Sequence, residues 1–133
     1  MKKIILLTLC TLSAFAQTLV YNSIKEAHDG IQKGKPLKLN NYTYVLDSKP
    51  LYGNNTLEIY AVINRKKSPK KYLDKEVLKQ SLKEKTFYST CRSFYKNTPR
   101  NFKMEMNYIY SDEKSKKIFT QVLVTQKVCD DML

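Results

Sequence analysis

Thr56-Leu57-Glu58-Ile59-Tyr60-Ala61-Val62-Ile63-Asn64 is the stretch on which the fold turns. Leu57, Ile59, Ala61 and Ile63 alternate with Glu58, Tyr60 and Val62. Successive side chains of a strand point to opposite faces, so this alternation predicts a strand with one apolar face. Just upstream, Ser48-Lys49-Pro50-Leu51-Tyr52-Gly53-Asn54-Asn55 is full of turn formers. Before that, Leu37 to Asp47 is again rich in β-branched and aromatic residues. Together the three segments predict an antiparallel hairpin with a rather long loop.

Further out on both sides the period becomes helical. In residues 22–34, Ser23 and Glu26 form a capping-box pattern, and Ile24, Ala27, His28 and Ile31 share one face. Gly34 and then Pro36 stand where a short helix would end. Downstream, Arg65-Lys66-Lys67-Ser68-Pro69-Lys70-Lys71 is a polar connector. Ser68-Pro69 and Asp74 are alternative starts for the next helix. Leu73, Val77, Leu78 and Leu82 trace an apolar stripe along it, and the helix is predicted from about residue 70 to near Cys91. A turn around Asn97-Thr98-Pro99 follows, then a second hairpin. In it Phe102, Met104, Met106, Tyr108 and Tyr110 alternate with Lys103, Glu105 and Asn107, Ser111 to Ser115 turns, and Lys117 to Thr125 returns. The predicted fold class is α+β. It has two layers, with an antiparallel sheet of about four strands in two hairpins and helices packed on one face, in the order α-β-β-α-β-β.

The chain has 133 residues, enough for one domain. Met1-Lys2-Lys3, an apolar run from Ile4 to Leu12 and Ser13-Ala14-Phe15-Ala16 read as a secretory signal peptide cut before Gln17. Residues 1–16 are therefore the expected signal peptide and 17–133 the single domain. A lipoprotein signal on Cys10 is the alternative, although Leu9 precedes that Cys instead of a small residue. The Lys-rich composition and short signal point to a bacterial protein, periplasmic or secreted. The mature chain would keep Cys91 and Cys129, and two Cys in an oxidising compartment are expected to pair. A catalytic thiol is the competing reading, without a C-x-x-C or an obvious His partner.

Composition limits the chemistry. One His excludes a multi-histidine metal site, and three Gly leave no glycine-rich phosphate loop. No cofactor and no metal is expected. Glu58, Glu105, Asp112, Glu113, Asp130 and Asp131 are scattered, and any Ser-His-Asp set would have to use His28 from an apolar helix face. The expectation is a protein that is not an enzyme. Net charge is +12, with three Arg (Arg65, Arg92, Arg100) and the rest of the basic residues Lys. Base and phosphate recognition favours Arg, so nucleic acid is not the expected partner. The densest run supplies a candidate basic patch, Arg65, Lys66, Lys67, Lys70 and Lys71, for peripheral contact with an anionic membrane surface or glycan. Leu73, Val77, Leu78 and Leu82 serve either as core or as a groove for a partner's amphipathic helix. Ten tyrosines, five of them on predicted strands, carry the same ambiguity.

The layout of residues 40–129 resembles the type II secretion pilotins of the AspS (GspS-beta) kind. A hairpin at Tyr42–Asn64 is followed by a helix into Cys91, the hairpin Phe102–Thr125 and a closing Cys129. The resemblance implies a sheet with helices on one face and Cys91 and Cys129 as a structural pair. It also implies a secretin C-terminal segment as partner, guided to the outer membrane. Those pilotins are lipoproteins, whereas this sequence carries an ordinary A-F-A cleavage site. The leading expectation is thus an exported accessory protein that binds a cell-envelope partner. The alternatives are a small secreted inhibitor or immunity protein, using residues 48–55 or the Arg65–Lys71 run against an envelope enzyme, and an envelope protein that binds anionic lipid or glycan.

Overall fold

The computed structural model describes residues 24–97 and 105–132. The expected signal peptide, the Ser23 cap, the Asn97-Thr98-Pro99 turn beyond Asn97 and the start of the second hairpin at Phe102 lie outside the described residues.

Residues 24–34 form helix α1. Strands β1 (Leu37–Asn40), β2 (Thr43–Leu51) and β3 (Thr56–Ile63) follow, then helix α2 (Lys75–Asn97), β4 (Glu105–Asp112), β5 (Ile118–Thr125) and the short helix α3 (Gln126–Met132). Single 3-10 turns at Tyr52–Asn54 and Lys70–Leu73 complete the described elements. The five strands form one sheet in the order β1-β2-β3-β4-β5.

The sheet has five strands, not four, and it is mixed. β3 and β4 run parallel, with Leu57 opposite Met106 and Ile63 opposite Asp112. A parallel pair needs a long crossover, and α2 supplies it. The first predicted strand, Leu37 to Asp47, is in fact two. Asn40 and Asn41 break it, and the Asn40 side chain accepts a hydrogen bond from the Tyr42 amide at 3.0 Å. Conversely, the predicted loop 48–55 is strand as far as Leu51, because Ser48 to Leu51 pairs with Thr56 to Ile59. β1 reaches only as far as Val45, so Pro50 sits where β2 is a sheet edge and its missing N–H is tolerated.

The alternation of β3 holds. Leu57, Ile59, Ala61 and Ile63 are all buried, and they form the floor of one core. Ile24 and Ile31 of α1, Leu78, Leu82 and Cys91 of α2, Val122 and Val124 of β5 and Cys129 of α3 close over it. Ser48, opposite Ile59 on this face, meets His28 Nδ1 at 2.7 Å and anchors α1. The other face carries Tyr60, Val62 and Leu123 and is half-open.

Cys91 and Cys129 form a disulfide that joins α2 to α3. Its sequence separation is 38, and a loop of that length stabilises the fold by about 4 kcal/mol in the chain-entropy account.

Candidate binding surface at the start of helix α2

The connector after β3 is shaped by its own side chains. Asn64 Oδ1 accepts from the amides of Lys66 and Lys67 at 3.1 and 3.4 Å. The Arg65 guanidinium donates to the carbonyls of Tyr72 and Leu73 at 3.0 and 2.8 Å. Those are free carbonyls at the end of a 3-10 turn, which a cation satisfies well. Asp74, not Ser68-Pro69, starts α2: its carboxylate accepts from the amides of Glu76 and Val77 at 2.9 and 3.3 Å.

This geometry splits the apolar stripe. Leu78 and Leu82 are core residues at 1% and 7% exposure, whereas Leu73 and Val77 stand 66% and 43% exposed. The four do not line one surface. The buried stripe instead continues along α2 through Thr86 and Thr90. Thr86 Oγ1 lies 2.6 Å from the Tyr110 hydroxyl, and Thr90 Oγ1 donates to the Tyr108 hydroxyl at 3.0 Å. Helix residues four apart are separated by about 6 Å, and strand residues two apart by about 6.7 Å, so the two pairs stay in step. The Tyr108 and Tyr110 rings stack with centroids 6.2 Å apart. Burial pushes the Tyr110 hydroxyl up to about 12, against the lowering effect of Thr86.

Beside Val77 a shallow groove of about 480 Å³ runs along the first two turns of α2. Tyr72, Val77 and Ser81 line it between Lys71 on one side and Glu76, Gln80 and Glu84 along the helix. Tyr72 is buried, with its hydroxyl 2.9 Å from Ser81 Oγ and its ring 6.0 Å from that of Tyr42. The Ser81 hydrogen bond, against burial and aided by Lys85 and Lys71, lowers the Tyr72 hydroxyl's pKa.

The candidate basic patch is also divided. Arg65 is half-buried, spans the two carbonyls and lies 5.7 Å over Phe119. Lys66, Lys67, Lys70 and Lys71 are exposed. A depression of about 430 Å³ beside Arg65 and Lys66 is lined by Asp112 and Glu113 as well as Lys114, so its field is of mixed sign. Hydrogen bonds from the backbone, led by Ser115, hold Asp112 below the usual carboxylate range. Lys79 and Lys83 lie over the rings of Phe119 and Phe87. These lysines cover aromatic surface with their stems while their charges stay in water.

His28 meets the Ser48 hydroxyl. Asp47 accepts from Gln32 at 2.6 Å and from the Ser48 amide at 2.9 Å, which lowers its pKa. The His28–Ser48 contact docks a helix. Among the described residues no cluster of three His, Cys, Asp or Glu could hold a metal ion. Among them, too, no helix is long and apolar enough to cross a membrane. The sequence does not single out Thr86 and Thr90, whose hydroxyls pair with those of the strand tyrosines Tyr110 and Tyr108. Their signal was the spacing of two Thr four apart on a helix and two Tyr two apart on a strand.

No family model matches the chain, and no curated protein matches it. Solved structures do match. A Pseudomonas aeruginosa protein predicted to be secreted is 11% identical, with a TM-score of 0.62 over 86% of this chain and 96% of its own. The type II secretion system pilotin AspS of Vibrio cholerae is 12% identical, with a TM-score of 0.53 over 90% of this chain and 99% of its own. The pilotin EpsS of the Vibrio vulnificus type 2 secretion system is 13% identical, with a TM-score of 0.58 over 87% and 96%. The resemblance to AspS-type pilotins drawn from the sequence is therefore met at the level of the fold.

Proposed function

We propose that the protein is an exported, non-enzymatic accessory module of the bacterial cell envelope that binds an amphipathic helix of a partner. Its partner on this reading is a cell-envelope protein, and the pilotin likeness points to a secretin C-terminal segment. One observation carries the reading. A fold shared with two secretion pilotins presents Leu73 and Val77 to solvent beside a groove, at a helix end that its cap and Arg65 hold rigid. An apolar ridge next to a shallow trough is the surface onto which a helix lays its own apolar face. The exposed lysines of the connector would flank such a partner and favour one with acidic residues at its edge.

The exposed Lys66, Lys67, Lys70 and Lys71 favour a second reading, contact with anionic lipid or glycan. Salt separates the two, since screening weakens exposed charge pairs much more than apolar contacts. A photo-crosslinking residue placed at Leu73 or Val77 in the host tests the first reading. It predicts one dominant adduct with an envelope protein, formed as well when irradiation is carried out at high salt. Adducts only with lipid or glycan, or an adduct that fails to form on irradiation at high salt, would contradict it.

A further inference from the structure

A cavity of about 290 Å³ lies between β1, the start of β2, β4 and the middle of α2, away from the groove at Val77. Leu39, Leu82 and the rings of Tyr108 and Tyr110 give it apolar walls. The Thr86 and Thr90 hydroxyls in its lining are already bonded to the tyrosines. Thr43 is different. It is 1% exposed, lines the same cavity, and its Oγ1 meets no hydrogen-bond partner. Buried hydroxyls are almost always paired, so this one is available to an occupant.

Lys85 is exposed and lines the cavity as well. Its ammonium reaches the Tyr72 hydroxyl at 3.4 Å and interacts with Tyr42, both neutral groups. Burial alone would lower the Lys85 pKa, but these tyrosines raise it on balance, so the group stays charged. No carboxylate is among the described residues that line the cavity. The site thus has apolar walls, one unpaired hydroxyl and the Lys85 side chain at its edge, with the ammonium turned toward Tyr72 and Tyr42 outside the lining. For size, an engineered cavity of roughly 150 Å³ holds a single benzene ring.

We infer that this cavity binds a small monocarboxylate with an apolar body, roughly a dozen non-hydrogen atoms in all. The carboxylate accepts from Thr43 Oγ1 and from Lys85 Nζ, which swings over from Tyr72 to meet it, and the body lies against Leu39, Leu82 and the two tyrosine rings. This site goes beyond the partner-helix reading and does not depend on it.

The test uses the purified, disulfide-bonded protein titrated with octanoate, with hydrocinnamate and with neutral octanol, followed by calorimetry and by the tyrosine ring resonances. One carboxylate should bind per chain, about tenfold tighter than octanol. Tighter octanoate identifies an acyl body, and tighter hydrocinnamate an aryl one. Lys85→Met should weaken the carboxylates about tenfold and leave octanol unchanged. Thr43→Val removes a hydroxyl with no internal partner, so it should keep the fold and weaken the carboxylates severalfold. Ser89→Trp, an exposed lining position on α2, should close the cavity to all three compounds. Absence of saturable carboxylate binding would overturn the inference, as would binding that Ser89→Trp or both Lys85→Met and Thr43→Val leave unchanged.

Discussion

The two ends of α2 are held differently. From Thr86 to Cys91 the helix is tied down by two hydroxyl pairs to β4 and by the disulfide to α3. At Leu73 and Val77, on either side of the Asp74 cap, apolar side chains face solvent. Leu78 and Leu82 keep the core side of the helix buried in the first half too, so the difference lies in Leu73 and Val77, which the capped end presents to solvent. A surface intended for a partner must hold its shape without that partner. On the proposed reading the anchored half supplies the rigidity, and the capped end supplies the contact area.

Breaking the anchor should have the largest effect. Cys91→Ser with Cys129→Ser is expected to cost about 4 kcal/mol, read as a lower denaturant midpoint. If the midpoint did not move, the anchored half would owe its stability to packing alone.

Alkali probes the same half more gently. Burial keeps Tyr110 protonated to about 12, against an ordinary value of 10.0. Below pH 10 the folded and unfolded chains both hold this proton, and its contribution is whole. Between pH 10 and about 12 the unfolded chain releases it first, so stability falls as pH rises. The gap of about two pH units corresponds to roughly 3 kcal/mol at full titration. Tyr108, also raised by burial, acts in the same direction. Denaturant midpoints measured across this range should decline for the native chain and decline less for Tyr110→Phe.

The presenting half should prove cheaper to damage. Asp74→Ala removes the cap shared by Glu76 and Val77 and is expected to cost about 1 kcal/mol. Hydrogen exchange should then quicken at those amides while the amides near Cys91 stay protected. Equal loosening at both ends would dissolve the distinction between the halves.

The same contrast explains what the sequence could reveal. Leu57 to Ile63 alternates without a break and was legible, as were α1, the α2 cap at Asp74 among its alternatives, and the cysteine pair. β2 was not, because Leu46 is the extra residue of a bulge between Val45 and Asp47. The bulge reverses the in-out parity, so Val45 and Ser48 share the buried face although three residues apart. Asn40-Asn41 carried a readable turn signal that the aromatic and β-branched neighbours masked. The parallel pairing of β3 with β4 was not expected, because two hairpins separated by a helix can join through either strand edge. α3 is only seven residues long, and its one marker is Thr125, whose hydroxyl accepts from the Val128 amide at 3.1 Å. In the candidate site, helical spacing alone could not separate buried Leu78 and Leu82 from exposed Leu73 and Val77. Thr86 and Thr90 hid the rest of the buried face because they are polar.

The central claim is that Leu73 and Val77 form a contact surface on an independently stable module. The most direct measurement is binding of a peptide from the C-terminal segment of the host's secretin to the wild-type chain and to Leu73→Asp/Val77→Asp. Both positions are exposed, so each substitution should change stability by no more than about 0.5 kcal/mol. The account predicts saturable one-to-one binding by the wild type and a loss of at least about tenfold in the variant. Equal binding by both chains, or none by the wild type, would contradict it.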